Sequence, residues 1–172
     1  MAKNHNIFLI GLMGAGKTTI GRQIASELSL EFFDSDHEIE NRTGVTITHI
    51  FDIEGEDGFR KRETAMIDEL TDKKGIVLAT GGGAILKVEN RQFLRSRGTT
   101  IYLYANISTL LERTSKDRNR PLLQTENPQE KLEELLATRD SLYRETADII
   151  IDTGKDSVRL AIKEILEKLQ EF

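Results

Sequence analysis

The sequence predicts an α/β fold with three layers, in which helices cover both faces of a five-stranded parallel sheet. Short apolar runs alternate along the chain with stretches of helical periodicity, and this alternation is typical of βαβ units. The 172 residues are enough to bury one core, so we expect a single domain over 1–172. Apolar residues make up 38% of the chain and charged residues 31%, as in ordinary globular proteins.

The elements can be placed in order along the chain. Each predicted strand is a short apolar run, and the five runs lie at 6–10, 30–33, 75–80, 99–105 and 148–152. Helices are predicted at 17–28, from about Ser35, around 88–97, from about Asn106 and at the end of the chain. The fourth and fifth strands are therefore separated by a long insert. The last helix has a core-facing apolar stripe made of Val158, Ala161, Ile162, Ile165, Leu166 and Leu169.

Two helix starts carry local signals. Ser35 with Glu38 predicts a capping box at the helix that follows the second strand, because a serine side chain and a glutamate three residues later satisfy each other's free N–H groups. Asn127, Pro128 and Glu130 predict an N-cap, a first helical position and a box partner. Asp34 and Asp36 are thus expected to flank a junction between a strand and a helix.

Composition argues against several kinds of partner. The net charge is −5 and the pI about 5.3, so the chain lacks the basic surface that nucleic acid or an anionic membrane requires. Cysteine is absent and the three histidines lie far apart, so neither disulfides nor a zinc site are expected. The apolar run at 7–10 is too short for a signal peptide or a membrane span. We therefore expect a cytoplasmic protein that binds neither nucleic acid nor membrane.

A phosphate-binding motif follows the first strand. Residues 11–18 read GLMGAGKT, with two glycines four positions apart followed by Lys17 and Thr18. Glycines allow a tight turn whose N–H groups face a phosphate, and the helix N-terminus adds partial positive charge. Lys17 is predicted to reach the β and γ phosphates and Thr18 to bind Mg²⁺. The expected ATP-binding residues of this loop are Gly14, Ala15, Gly16, Lys17, Thr18 and Thr19.

The rest of the sequence narrows the choice among P-loop proteins. No Asn-Lys-x-Asp stretch is present, which argues against guanine nucleotides, and the third strand runs into Gly81–Gly83 where many ATPases have a metal-binding aspartate. The nearest acids are Asp34 and Asp36, at the end of the second strand. Spacing leaves two interpretations open for them: a role in binding metal or substrate, or simple stabilisation of a helix N-terminus.

An ordered set of motifs resembles the shikimate kinase family over about 7–152. The motifs are GLMGAGKT at 11–18, DSD at 34–36, GFRKRE at 58–63, TGGG at 80–83, RPLL at 120–123 and RDSLYRETAD at 139–148. The resemblance implies a P-loop kinase fold like that of nucleoside monophosphate kinases, with a lid insert at about 113–126. It also implies a monomer that uses Mg²⁺ and transfers the γ-phosphoryl group of ATP to the 3-hydroxyl of shikimate, in chorismate and aromatic amino-acid biosynthesis.

The resemblance also implies roles for individual residues. Asp36 corresponds to the family's acid that holds the hydroxyls of shikimate and helps to deprotonate the 3-hydroxyl, and Asp34 to the acid that supports Mg²⁺ through water. Arg60 and Arg139 resemble the pair that binds the substrate carboxylate. The backbone of Gly81, Gly82 and Gly83 would approach the ring substituents. In the lid, Arg120 would reach the phosphates during catalysis and Arg113 would lie against adenine.

Simpler interpretations remain open for several of these residues. Arg60 could form an i,i+3 surface pair with Glu63, and Arg139 could pair with a neighbouring acid. The basic run at 113–120 could be ordinary solvated surface, and Asp152 and Thr153 are weak candidates for adenine contacts. Alternative functions are another small P-loop kinase, acting on a nucleoside monophosphate or on gluconate, and a non-catalytic module gated by nucleotide.

Overall fold

The computed structural model describes residues 5–115, 125–155 and 157–172. Within these residues, five parallel strands form one sheet in the order β2-β3-β1-β4-β5. The strands are β1 Ile7–Ile10, β2 Glu31–Asp34, β3 Ile76–Ala79, β4 Thr99–Tyr104 and β5 Ile149–Asp152. Every strand lies within a residue or two of a predicted apolar run, and the predicted α/β class with a parallel sheet is confirmed.

The central strand explains why the apolar runs are continuous. β1 lies between β3 and β4, with Ile7 paired to Val77 on one side and to Thr99 on the other. Ile7, Phe8 and Leu9 are fully buried, because helices cover both faces of the sheet. A strand buried on both faces has no polar side to alternate with, so its sequence reads as an unbroken apolar stretch.

The helices pack on both faces of this sheet. They are α1 Lys17–Leu28, α2 Ser35–Thr43, α3 Ile47–Thr71, α4 Val88–Arg97, α5 Ile107–Thr114, α6 Pro128–Thr146 and α7 Val158–Leu169, with a short 3₁₀ helix at Gly82–Leu86. In the stripe predicted for α7, Ala161, Ile162, Ile165 and Leu169 are buried and Leu166 is partly buried. Val158 is 38% exposed at the start of the helix, so its place in that stripe was wrong.

The structure corrects one of the two predicted helix starts. Asp34, not Ser35, is the N-cap of α2: its Oδ1 accepts hydrogen bonds from the N–H groups of Asp36, at 3.0 Å, and His37, at 3.2 Å. Ser35 is the first helical residue and is fully buried, so the predicted capping box is wrong.

The other predicted helix start is confirmed. Asn127 caps α6, accepting from the N–H of Glu130 at 3.1 Å, and Pro128 is the first helical residue. The side chain of Glu130 in turn accepts from the side-chain Nδ2 of Asn127 at 3.3 Å. The long segment between β4 and β5 therefore contains a well-defined helix start at the position where the sequence places one.

The segment between β2 and β3 forms two helices where the sequence predicts one from about Ser35. Gly44, at φ 74°, ends α2, and the hydroxyl of Thr46 caps α3 by accepting from the N–H of His49 at 3.1 Å. Within α3, Gly55 also has a left-handed φ of 74° and bends the helix. The glycine at 44 provides the left-handed conformation that a helix end requires.

The segments that follow three of the strands lie at the same edge of the sheet. β1 leads into the P-loop, β2 ends at Asp34, and β3 is followed by Gly81–Gly83. Because parallel strands place their carboxyl ends together, these segments meet. None of the helices in the described part of the chain combines the length and apolar character needed to cross a membrane.

Candidate active site

A cleft of about 1040 Å³ opens along this edge of the sheet. It extends from the P-loop, past the junction of β2 and α2, to α3 and α6. The predicted site residues on its wall are Gly14, Gly16, Lys17, Thr18, Thr19, Asp34, Asp36, Arg60, Gly81, Gly82, Gly83, Arg113 and Arg139. One further predicted residue, Ala15, is buried behind this wall, and its N–H donates to the carbonyl of Leu12 at 3.2 Å.

The P-loop is shaped by backbone conformations that favour glycine. Gly16 has φ 100° and is the N-cap of α1, where no side chain caps the first N–H groups of the helix. Gly11 has φ 147°, and a Cβ there would lie 2.6 Å from the carbonyl oxygen of Leu103. The first N–H groups of α1 thus face the cleft with the positive end of the helix dipole. This end of the cleft is suited to a phosphate chain.

Lys17 is held over this loop by its own backbone. Its Nζ donates to the carbonyls of Gly11, at 2.7 Å, and Leu12, at 2.9 Å. An ammonium group in this position lies beside the N-terminus of α1, so two sources of positive charge act on the same part of the cleft. The arrangement is suited to the charge that collects on transferred phosphoryl oxygens.

Thr18 and Asp34 form an oxygen pair between the P-loop helix and β2. The hydroxyl of Thr18 donates to Asp34 Oδ2 at 3.0 Å, while Asp34 Oδ1 caps α2. Both groups are hard oxygen ligands of the type that Mg²⁺ prefers, and this ion usually retains water and binds substrate phosphate as well. No cluster of three or more His, Cys, Asp or Glu side chains that could enclose a metal occurs among the described residues. The pair therefore fits a magnesium ion that is shared with phosphate.

Arg60 and Glu63 form a buried ion pair on α3. Arg60 Nη1 donates to Glu63 Oε1 at 2.8 Å, and Arg60 Nη2 lies 3.3 Å from Glu56 Oε1. The i,i+3 pair that the simpler interpretation expected is present, but Arg60 is only 6% exposed and Glu63 only 1%, so it is not a surface pair. Burial lowers the pKa of Arg60, yet Glu63 and then Glu56 outweigh burial and leave that pKa raised. Burial raises the pKa of Glu63, and the Arg60 guanidinium opposes that rise.

Arg139 enters the same region from α6. It is 3% exposed, and its neighbour Asp140 binds Tyr102 and Arg144 instead, accepting from the Tyr102 hydroxyl at 2.7 Å and from Arg144 Nε at 2.8 Å. Arg139 Nη1 and Arg60 Nε are buried and have no hydrogen-bond partner among the described residues. Buried N–H groups of a guanidinium are costly to leave unpaired. Their presence on the wall of a cleft indicates a site for an anionic ligand.

The turn at Gly81–Gly83 lies in the middle of these charged groups. A Cβ on Gly81 would lie 2.8 Å from both Asp36 Oδ1 and Glu63 Oε2, and a Cβ on Gly83 would lie 2.2 Å from Arg60 Nη2. A Cβ on Gly82 would lie 3.4 Å from Arg139 Nη1. Glycine is favoured at 81 and 83, because a Cβ there would force the ends of the Asp36, Glu63 or Arg60 side chains to move.

Sequence reasoning missed several residues of this end of the cleft. Phe51 and Phe59, on α3, have ring centroids 4.9 Å apart and form an apolar part of the wall. Phe59 and Glu63 belong to the GFRKRE motif, so the signal was present, but helix periodicity alone does not distinguish a cleft wall from a core. Tyr143, within RDSLYRETAD, donates from its hydroxyl to the carbonyl of Gly82 at 2.6 Å.

Arg113 lies at the other end of the cleft, between the P-loop and the segment after β5. Its Nη1 donates to the carbonyl of Gly14 at 3.1 Å, and its Nη2 to the carbonyl of Thr153 at 2.9 Å. Thr153 is itself buried and donates to the carbonyl of Ala15 at 3.0 Å. Arg120 and most of the predicted lid at about 113–126 lie outside the described residues.

Comparison with known proteins decides the family. The family model described as shikimate kinase matches residues 13–170. The chain belongs to the shikimate kinase family. A shikimate kinase of Methylococcus capsulatus is 57% identical over 171 residues, which cover 99% of this chain and 96% of the relative. A shikimate kinase of Ralstonia nicotianae is 61% identical over 165 residues, which cover 96% of this chain and 87% of the relative.

A solved structure extends the comparison to three dimensions. The shikimate kinase of Acinetobacter baumannii in complex with shikimate is 54% identical, with a TM-score of 0.95 over 98% of this chain and 94% of that one. The predicted resemblance to the shikimate kinase family is thus confirmed in sequence and in fold. Because the chain belongs to this family, the three alternative functions are not favoured: a gluconate kinase, a nucleoside monophosphate kinase and a non-catalytic module.

Proposed function

We propose that this protein transfers the γ-phosphoryl group of ATP to the 3-hydroxyl of shikimate, forming shikimate 3-phosphate and ADP. It is an ATP-dependent kinase of the shikimate kinase family. The observation that carries the proposal is a single cleft with a P-loop at one end and two buried arginines, with unpaired N–H groups, at the other. ATP requires the P-loop end for its phosphates, and a small carboxylate that carries hydroxyl groups requires the end with the two arginines.

The acceptor end of the cleft, where Asp36, Arg60 and Arg139 lie, suits shikimate in shape and charge. The carboxylate of shikimate would accept hydrogen bonds from Arg60 and Arg139, because a planar guanidinium matches a carboxylate better than a lysine ammonium does. Its ring would lie near Phe51 and Phe59, and a hydroxyl would be held by Asp36. Backbone at the glycine turn supplies polar groups without a side chain in the way.

The donor end of the cleft, which the P-loop forms, suits MgATP. The N–H groups at the start of α1 and the ammonium of Lys17 would bind the β and γ phosphates, and Arg113 lies near the expected position of the base. Thr18 would bind Mg²⁺ directly and Asp34 through water, and the ion would neutralise phosphate charge when bound. A role for Arg120 in the lid remains a prediction.

The reaction requires mainly alignment and charge neutralisation. The 3-hydroxyl oxygen would attack the γ phosphorus in line with the bond to ADP; the new O–P bond forms as the old one breaks, and ADP leaves. Asp36 is proposed to accept the hydroxyl proton. Phosphoryl transfer leaves little covalent chemistry to the protein, so Lys17 and the substrate-binding arginines contribute by positioning and by balancing charge.

Release of ADP with and without shikimate tests the proposal. The purified protein should form ADP from ATP and Mg²⁺ at a rate that rises strongly when shikimate is added, and chelation of Mg²⁺ should abolish that rise. Gluconate and nucleoside monophosphates serve as competing acceptors in the same assay. Faster turnover with one of these would indicate a different small-molecule kinase, and ATP binding without acceptor-stimulated turnover would indicate a non-catalytic module.

A further inference from the structure

Two hydroxyl groups form hydrogen bonds with the Gly81–Gly83 turn, one from α2 and one from α6. The Tyr143 hydroxyl donates to the carbonyl of Gly82 at 2.6 Å. The N–H of Gly81 donates to Ser35 Oγ at 3.2 Å. The two bonds meet the peptide units on either side of the Gly81–Gly82 peptide, so together they restrain the turn at both ends.

Each hydroxyl belongs to a segment that also carries a charged residue of the acceptor end. Ser35 directly precedes Asp36 at the start of α2, and Tyr143 follows Arg139 by four residues on α6, so it lies on the same helix face. A bond from Ser35 therefore fixes the distance between the turn and the Asp36 segment. A bond from Tyr143 does the same for the Arg139 segment.

The geometry around the turn leaves little freedom. The nearest charged atoms lie between 2.2 Å and 3.4 Å from the points where Cβ atoms on the three glycines would be. A movement of the turn toward these groups would bring its backbone into contact with them, and a movement away would remove it from the ligand. The position of the turn therefore affects the acceptor end directly.

Tyr143 is well suited to act as a fixed tether. It is 1% exposed, and its ring stacks on Tyr102 with centroids 4.8 Å apart, so the hydroxyl cannot move without disturbing the core. Burial raises the pKa of Tyr143 far above its ordinary value, so the hydroxyl keeps its proton and remains a donor. Ser35 is likewise fully buried.

We propose that Ser35 and Tyr143 are positioning residues for shikimate: they hold the glycine turn at the distance from Asp36 and Arg139 that acceptor binding requires. Neither is proposed to contact ATP or the transferred phosphoryl group. The inference rests on the proposed function, because it concerns the same acceptor end. It predicts that removal of either hydroxyl raises KM for shikimate and leaves KM for ATP nearly unchanged.

Steady-state kinetics of Tyr143→Phe and Ser35→Ala test this. Each change removes one hydroxyl while keeping the rest of the side chain, so loss of its hydrogen bond to the turn should raise KM for shikimate about three- to tenfold. KM for ATP should remain within about twofold of wild type. The matched control is Tyr102→Phe, which removes a hydroxyl from the same stacked pair but one that bonds to Asp140. It should leave KM for both substrates unchanged.

The outcomes separate tethering from general destabilisation. Equal rises in KM for shikimate and ATP, no rise in KM for shikimate, or the same rise in Tyr102→Phe would overturn the proposal. Thermal unfolding of all three variants shows whether a kinetic change follows loss of fold.

Amide NMR provides a readout that does not require turnover. Tyr143→Phe should shift the amide signals of Gly82 and Gly83, and Ser35→Ala that of Gly81, whereas Tyr102→Phe should leave them in place. If wild-type protein showed no shikimate-dependent turnover, the proposed function would fail, but these signals would still show whether the tethers exist. Unchanged glycine signals in both variants would overturn the tethers themselves.

Discussion

Arg60 Nη1 donates to Glu63 Oε1 at 2.8 Å within the cleft, and both side chains are almost fully buried. The pair is a fixed counterion arrangement: Glu63 neutralises part of the positive charge that Arg60 and Arg139 bring to the acceptor end. Arg60 Nε and Arg139 Nη1 have no hydrogen-bond partner among the described residues, and we propose that they bind the carboxylate of shikimate. Burial of the pair, rather than its presence, distinguishes it from a helix surface pair.

Glu63→Gln should lower both stability and acceptor binding. The amide cannot balance the Arg60 charge, so we expect a loss of about 1–3 kcal/mol in the free energy of unfolding and a higher KM for shikimate. Urea unfolding and steady-state kinetics measure the two effects. The matched control is Glu69→Gln, which removes the partner of Arg42 on the exposed part of α3 and should change little. An equal loss of unfolding free energy in both variants would mean that the buried Arg60 pair contributes no more to stability than an exposed pair.

Arg139→Lys should damage use of shikimate while sparing ATP. A lysine keeps the charge but loses the planar fork, so kcat/KM for shikimate should fall by about tenfold or more, with KM for ATP nearly unchanged. Arg144→Lys is the control: it lies on the same helix, but its guanidinium bonds to Asp140 near the surface. A comparable loss of ATP affinity in Arg139→Lys would assign this arginine to the nucleotide or to the fold.

Lys17→Ala should reduce kcat by about 100- to 1000-fold, because it removes a preorganised positive charge from the developing charge on the phosphoryl group. The fold should persist, since the hydrogen bonds from the ammonium to the carbonyls of Gly11 and Leu12 lie within its own loop. Circular dichroism and thermal unfolding verify the fold, and Lys163→Ala on the exposed side of α7 serves as the control. Near-normal turnover in Lys17→Ala would refute the role proposed for this residue.

Alanine substitutions in the glycine turn should have graded effects. A Cβ at Gly83 would lie 2.2 Å from Arg60 Nη2, whereas a Cβ at Gly82 would lie no closer than 3.4 Å to its neighbours. Gly83→Ala should therefore displace Arg60 and cost about 1–3 kcal/mol of stability, with a larger loss than Gly82→Ala. Chemical unfolding of the two variants in parallel tests the order. A reversed order would mean that the Arg60 guanidinium can move aside freely.

The two stacked tyrosines should not ionise at their ordinary pH. Burial raises the pKa of Tyr143, and burial followed by the hydrogen bond to Asp140 raises that of Tyr102, both above the usual 10.0. Their contribution to stability is thus complete below about pH 10 and is lost as the pH rises above it, because the unfolded chain releases these protons first. An alkaline titration followed by phenolate absorbance should show Tyr102 and Tyr143 ionising only as the protein unfolds. Tyr143→Phe should reduce that late step by half.

Local sequence patterns predicted most of the architecture. Apolar runs such as Ile7–Ile10 marked the strands because a strand buried on both faces leaves no polar positions, and Asn127 with Pro128 marked a helix start because capping is local. The capping box at Ser35 failed because Asp34, one residue earlier, caps the helix instead. The single helix predicted from Ser35 failed because Gly44 could not be recognised as a helix end from its identity alone.

The sequence by itself determined the fold class, the phosphate-binding loop and, through an ordered set of motifs, the family. Those depend on short-range patterns: glycine spacing, strand length and helix periodicity. Only the tertiary structure decided that Arg60 and Glu63 are buried together, that Arg139 meets them from another helix, and that Ser35 and Tyr143 hold the turn between them. Burial and distance between segments far apart in the chain depend on how helices pack across the sheet, and no local pattern records that packing.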